Sequence, residues 1–268
     1  MEDYSVYNGE GTVLRKAQMH MVEILVEIDR ICRKHDIPYW IDFGTLLGAV
    51  RHKGFIPWDD DLDISILRKD RKRFCQYIKK ELPERYFLLD NKSVKYFNKS
   101  GIIKVMDRNT RVMENYFDEN EIKGDYGLWV DVFCVENGTA HYRRHINETY
   151  GRLIRRIQGN VNDGALNKVI AQILYPFSCL EIMLYRIIHK LSPKDNLIYD
   201  LKTLVATALY SERTSKQIFP LKEISFEGHS FLCPNDTDAF LKETYHNYME
   251  IPPAEKRITH LGNIEFYD

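Results

Sequence analysis

Hydrophobic residues recur along this chain with two different periods, and the switches between them mark out its elements. Leu14, Ala17, Met21, Leu25, Ile28 and Cys32 return every three or four positions, which predicts an amphipathic helix over about 12–35. Asp36-Ile37-Pro38 ends it, because a proline pushes the residue before it out of the helical region. Tyr39-Trp40-Ile41-Asp42-Phe43 then reads as a strand, and Gly44-Thr45 opens a short helix through about His52. Between Phe55 and Ile66 the period becomes two. Asp59, Asp61 and Asp63 share one face of that segment, and Leu62, Ile64 and Ile66 share the other. A further helix over 68–82 turns Phe74, Tyr77, Ile78 and Leu82 inward.

Downstream, short strands are predicted at 85–90, 101–107 and 110–116, with a stronger one at 127–133 (Gly-Leu-Trp-Val-Asp-Val-Phe). From about 138 to 217 the pattern is helical, with no strand signal of comparable strength. The tail mixes short strands near 223–233, a helix near 236–247 and a Pro-Pro turn. The expected fold class is α+β: a mixed sheet flanked by helices, followed by a helical second half. The expected division is a catalytic core at 1–137, a helical region at 138–222 and a C-terminal segment at 223–268 that packs back on the core.

Composition narrows the classes. The chain has 268 residues, 44% hydrophobic and 29% charged, enough for a substantial core. A net charge of −1 gives no basic field, so nucleic acid is not an expected partner. Cys32, Cys75, Cys134, Cys179 and Cys233 are odd in number and widely spaced, which argues against a disulfide framework or a cysteine zinc site. With an acidic, polar start that lacks a secretory pattern, the expected compartment is the cytoplasm. The stretch 169–191 is largely apolar but contains Pro176, Glu181 and Arg186. Buried structural helices are the first reading of it. Attachment at the inner face of the plasma membrane is the second, and a membrane span is the least favoured.

The acidic face carries the chemistry. Carboxylates this close repel one another, and a fold tolerates them best with a cation between them. Oxygen-only ligands suit Mg²⁺ or Mn²⁺, which bind through one or two carboxylates plus substrate phosphates. A glycine at a strand-to-helix junction lets a phosphate come close, and a helix start at Thr45 offers N–H groups and a positive dipole end. Phe43-Gly44-Thr45, then Asp61-Leu62-Asp63-Ile64, then Val130-Asp131-Val132 is the pattern of the nucleotidyltransferase fold.

The segment from Asp42-Phe-Gly-Thr through Arg51-His-Lys-Gly-Phe-Ile-Pro-Trp58-Asp-Asp-Asp-Leu-Asp63-Ile closely resembles the signature of the LicD family. Tyr248-Met-Glu-Ile-Pro252-Pro-Ala-Glu-Lys-Arg257 with His260, preceded by Phe226-Glu-Gly-His229-Ser-Phe-Leu-Cys-Pro234, is similar to that family's C-terminal motif. The resemblance covers roughly 12–135 and 223–260; the helical middle carries no matching motif. It implies transfer of a phospho-alcohol from a CDP-activated donor, CDP-choline above all, with release of CMP. The acceptor is a sugar hydroxyl of a cell-surface glycan or lipid-linked glycan, such as teichoic acid or lipopolysaccharide. Fukutin-related relatives carry ribitol phosphate instead.

By motif position, the resemblance makes Asp61 and Asp63 metal ligands and Asp131 a third ligand or the general base. Asp59 supports them or joins the metal. Gly44 and Thr45 hold donor phosphate, and Arg51, Arg257 and His260 are donor contacts. Bland alternatives stand beside these readings. Arg51, His52 and Lys53 could merely cap their helix, and Arg257 and His260 could form a surface salt bridge and a helix cap. Trp40 and Trp58 are core residues by default and stacking platforms otherwise. His141 and His145, four apart, read as a solvated helix face ahead of a metal clip, and Arg143, Arg144, Arg152, Arg155 and Arg156 as an exposed basic run that an anionic polymer or membrane surface could use. A nucleotidyltransferase that moves NMP to a small hydroxyl compound or a protein, releasing pyrophosphate, is the alternative activity. A binding protein that keeps the fold without activity is the third reading.

Overall fold

A computed structural model describes residues 3–90, 102–114, 127–158, 164–190, 195–203, 211–259 and 261–267. The chain opens with a short turn of helix, α1 (Ser5–Asn8), and then the long α2 (Val13–Lys34). Thr12 caps α2 by accepting the Arg15 N–H at 3.2 Å. Of the stripe read from the sequence, Ala17, Met21, Leu25, Ile28 and Cys32 are buried, together with Ile24 and Ile31, and Leu14 is half-buried. Each such aliphatic side chain contributes about 1.5–3 kcal/mol by leaving water.

β1 (Tyr39–Ile41) follows, and Asp42 then caps α3 (Phe43–His52) by accepting the Phe43 N–H at 2.8 Å. The strand therefore ends two residues before Phe43, and the helix begins one residue before Gly44, where the sequence pattern places its start. Phe43 sits at φ 42°, in the left-handed region, so the chain turns from strand to helix within a single strained residue. β2 (Asp63–Leu67), a 3₁₀ turn (Arg68–Asp70) and α4 (Arg71–Glu81) come next, then β3 (Tyr86–Leu89), β4 (Ile103–Asp107), β5 (Thr110–Glu114) and β6 (Trp129–Asn137). On α4, Phe74 and Ile78 are fully buried, while Tyr77 and Leu82 pack at the margin.

The main sheet runs β1-β2-β6-β4-β3. β2 and β6 form a parallel pair; β1 with β2, β3 with β4 and β4 with β6 are antiparallel. The α+β class with a mixed sheet is the one observed. α2 and α3 lie against this sheet and share one hydrophobic core with it.

Two long helices follow, α5 (Ala140–Gln158) and α6 (Ala165–Lys190). They pack together through a smaller core of Ile146, Tyr150, Ile154 and Ile182. Inside the stretch read as helical lie two short strands, β7 (Asn196–Tyr199) and β8 (Arg213–Thr214); β7 pairs with the far end of β6. Three apolar residues in a row are too few to show a period, and it is pairing with β6 that makes them a strand. The tail comprises α7 (Ser215–Ile218), the hairpin β9 (Lys222–Phe226) and β10 (His229–Cys233), then α8 (Thr237–Tyr245) and a 3₁₀ turn at Ala254–Lys256. β11 (Leu261–Phe266), unforeseen from the sequence, pairs with β5.

Candidate functional site

Parallel pairing of β2 and β6 places Asp63 opposite Asp131 in register. The Asp131 N–H donates to Leu62 O at 2.8 Å, and the Asp63 N–H donates to Thr45 Oγ1 at 2.8 Å. The start of α3, the start of β2 and the second turn of β6's alternation are thus tied into one edge. Asp63 and Asp131 come together as the sequence pattern anticipated. The acidic segment itself differs from the expectation: the strand begins only at Asp63, and Asp59, Asp60 and Asp61 lie in the loop before it. A continuous strand would string these carboxylates along one face. The loop instead folds Asp59 back against the first turn of α3.

Gly44 is the contact point. A Cβ placed there would meet Asp59 Oδ2 at 2.7 Å, so only glycine lets the carboxylate approach, and the positive end of the α3 dipole favours it there. Asp59 Oδ2 is buried and accepts no hydrogen bond. Burial pushes the Asp59 carboxyl well above its ordinary range, and the charges of Asp61 and Asp60 and a carboxyl–carboxyl hydrogen bond with Asp61 push the same way. Asp63 is raised well above its range too, by burial first and then by Asp61, Asp131, Asp59 and Asp42. Repulsion of this kind is relieved by a shared proton or by a cation.

Asp131 is treated differently. Lys104, its register partner on β4, places Nζ 2.9 Å from Oδ1 and 3.1 Å from Oδ2, and Trp129 Nε1 donates to Oδ2 at 2.9 Å. The Lys104 ammonium also lies 3.9 Å from the Trp129 ring centroid. Neither residue was singled out from the sequence. Trp129 is two positions before Asp131, on the same face of one strand, so period-two reading could have found it. Lys104 could not be found that way, because β4 and β6 are joined only by tertiary pairing.

Behind the edge, Asp42 is fully buried and accepts from Ser65 Oγ at 2.5 Å and from Tyr199 OH at 2.8 Å. Burial lifts its carboxyl above the ordinary range against the pull of Arg213 and these donors. Thr45 is buried with its hydroxyl accepting from Asp63, so it joins α3 to β2 and keeps its own O–H to donate. At the far end of α3, Arg51 Nη1 donates to the carbonyls of Tyr248 at 2.9 Å and Glu250 at 3.2 Å. Arg51 therefore clamps the C-terminal segment instead of capping its own helix. His52 Nε2 accepts from Arg51 Nε at 2.9 Å, and the imidazole is pushed down to about 4 by burial and then by Arg51.

The tail does return to the site. Arg257 Nε donates to Pro252 O at 2.9 Å, and its guanidinium lies 4.9 Å from the Trp58 ring centroid and 5.4 Å from Tyr4. Thr259 Oγ1 donates to Trp58 O at 3.0 Å. Arg257 thus stacks beside the acidic loop. His260 lies outside the described residues. Tyr245, at the end of α8, is a further neighbour: burial first, then Asp63, Asp42, Asp59 and Asp61, push its phenol above the ordinary range.

Other candidates resolve into structure. Trp40 is fully buried core and no stacking platform. His145 stands on an exposed helix face, 2.9 Å from Glu181. Arg143, expected in an exposed basic run, is buried and donates to Asp200 O at 2.5 Å and Thr203 O at 2.6 Å. Among the described residues no three His, Cys, Asp or Glu side chains are arranged to hold a metal ion by themselves. The all-oxygen donors at the edge suit a hard cation that takes one or two carboxylates and completes its shell from a bound phosphate and water.

Residues 36–150 match the domain family described as LicD/FKTN/FKRP, nucleotidyltransferase domain. Over 257 residues the chain is 26% identical to the lipopolysaccharide cholinephosphotransferase LicD of Haemophilus influenzae, spanning 92% of this chain and 95% of that protein. A 63-residue stretch is 47% identical to an uncharacterized protein of Rickettsia prowazekii, 24% of each chain. A 34-residue stretch is 50% identical to the human ribitol 5-phosphate transferase FKRP, 13% of this chain and 7% of that one.

Proposed function

From a chain whose residues 36–150 match the LicD/FKTN/FKRP nucleotidyltransferase domain family, we infer a LicD-type phosphotransferase that moves a phospho-alcohol group onto a glycan. The donor we propose is CDP-choline, and the acceptor a sugar hydroxyl of a cell-surface glycan such as lipopolysaccharide or teichoic acid. In the reaction the acceptor oxygen forms a bond to the distal phosphorus, the bond from that phosphorus to the bridging oxygen breaks, and CMP leaves with the electron pair.

One observation carries this reading: Asp63 and Asp131 stand in register on parallel strands, beside a loop in which Asp59 Oδ2 is buried and accepts no hydrogen bond. Asp61 and Asp63, supported by Asp59, would hold Mg²⁺ or Mn²⁺. Such an ion supplies charge stabilisation for both the transferred and the leaving phosphate. Asp131, oriented by Lys104 and Trp129, is the group placed to take the acceptor proton or to complete the metal's shell. The first turn of α3 at Gly44 and Thr45 faces the same edge and suits donor phosphate. Arg257 adds positive charge beside Trp58, and Arg51 holds the tail that carries Arg257. His260 belongs to the same tail motif and joins the donor contacts in this proposal.

Incubating the purified protein and Mg²⁺ with CDP-choline, CDP-ribitol and a panel of nucleoside triphosphates separates the readings. CMP release from a CDP-alcohol, stimulated by the metal, is the expected result. Pyrophosphate release from a triphosphate would replace this assignment with nucleotidyl transfer. No turnover of any donor, with or without a membrane fraction as acceptor, would leave a binding protein.

A further inference from the structure

α6 turns an apolar stripe outward along its whole length. Leu166, Ile173, Phe177, Leu180, Leu184 and Ile188 follow one another at intervals of three, four and seven, which puts them on one helix face, and they are 48–73% exposed. At 26 residues, about 39 Å of helix, α6 is long and apolar enough to cross a membrane by length and composition. Its opposite face is already engaged. Arg186 Nε and Nη2 donate to the Glu136 carboxylate on β6 at 2.6 and 2.7 Å, and Tyr185 stacks on Tyr142 of α5 at 3.5 Å with the rings nearly parallel. Crossing a bilayer would carry that ion pair into hydrocarbon, so the geometry suits a helix lying in the interface plane.

Charge identifies the occupant. Residues 140–190 hold eight Lys and Arg against three Asp and Glu, a formal +5, which leaves −6 for the rest of a chain whose total is −1. α5, packed alongside α6, carries Arg144, Arg152, Arg155 and Arg156, and Lys168 and Lys190 stand near the two ends of α6. An apolar stripe flanked by basic residues, on a protein that is otherwise acidic, complements an anionic lipid surface. A second copy of the chain would have to set the basic residues that flank one stripe, Arg144, Arg152, Lys168 and Lys190 among them, against the same residues of the other.

We propose that the α5–α6 hairpin is a membrane-docking surface: α6 lies in the plane of an anionic bilayer, its Leu166–Ile188 stripe among the acyl chains and the basic residues at the headgroups. This does not rest on the catalytic reading. It does place the enzyme at the surface where a lipid-linked acceptor would be found.

Sedimentation of the full chain with phosphatidylcholine vesicles, and with phosphatidylcholine–phosphatidylglycerol vesicles at three to one, tests it. Partition at least tenfold stronger into the anionic vesicles is expected, falling as salt is raised. F177E with L184E should reduce that partition at least tenfold, with circular dichroism unchanged because both positions are exposed. R152E with K168E, which leaves the stripe intact, should abolish the preference for anionic lipid. Wild-type protein remaining in the supernatant with both vesicle types overturns the proposal, and so does equal partition into both. A dimer in light scattering that F177E and L184E dissociate overturns it as well, since a second copy would then cover the stripe.

Discussion

Strand β6 carries an acid near each end, and the two ends handle buried negative charge in opposite ways. At one end Glu136 accepts from Arg186 at 2.6 and 2.7 Å and from the Leu201 N–H at 2.9 Å. Its neighbour Asp200 is bound by Arg68 at 2.8 Å and Arg186 at 3.2 Å. Burial and Asp200 lift Glu136 above its ordinary range, but Arg186 pulls against both. At the other end Asp131 faces Asp63, and the main influences on Asp59 and Asp63 are burial and other carboxylates. An acid cluster that brings its own arginines is a fastener, here holding α6 to the sheet. A cluster that crowds acids together spends stability and is poised for a cation from outside.

The contrast breaks most sharply if charge is removed at each end. Asp63→Asn should lower CMP release by about 10³-fold or more, since loss of several kcal/mol of metal stabilisation is tenfold per 1.36 kcal/mol. Its thermal melting point should hold or rise, because repulsion is relieved. A clear drop in melting temperature would show that Asp63 is a fastener after all. Glu136→Ala should act the other way. Leaving the Arg186 guanidinium without its main partner should cost about 3 kcal/mol in chemical denaturation, with turnover per folded molecule unchanged.

Lys104→Met probes the intermediate case, an acid at the reactive end that does have a cation. Loss of the group that orients Asp131 should reduce turnover about 10–100-fold and leave donor KM nearly constant. An unchanged rate would make Lys104 part of the fold alone. The smallest effect concerns His52, a base kept neutral beside Arg51. Its folded pKa of about 4 lies below the 6.5 of an unfolded histidine, so on acidification the unfolded chain takes up the proton first. Stability linked to His52 is therefore fully present above about pH 6.5 and lost as pH falls toward 4. After allowance for partial exposure, His52→Asn should remove about 1 kcal/mol of that slope, read from urea midpoints at pH 5 and 7.

The sequence made the reactive end more legible than the fastener. Asp63 and Asp131 stand out because each is flanked by apolar residues, Asp61 because it shares a face with Asp63, and the α2 stripe because its six residues recur every three or four positions. Glu136 gives no such sign, since its arginine comes from α6, fifty residues on. Lys104 escapes notice for the same reason. The loop at Asp59–Leu62 has the sequence pattern of a strand, because acid and leucine alternate there with a period of two, whereas the close seat of Asp59 on Gly44 is a tertiary contact. β7 gives no sign in the sequence because three apolar residues cannot reveal a period. His260 stays a reading of the sequence alone.

Alignment of neighbouring strands comes only in whole steps. Each residue turns its side chain to the side opposite the one before it, so adding or deleting a single position between Trp129 and Asp131 would point the second aspartate away from the first. Length changes in the connections outside β2 and β6 leave that match untouched. The pair behaves like two teeth on a ratchet: large insertions elsewhere are tolerated, and one misplaced residue between the teeth disengages them.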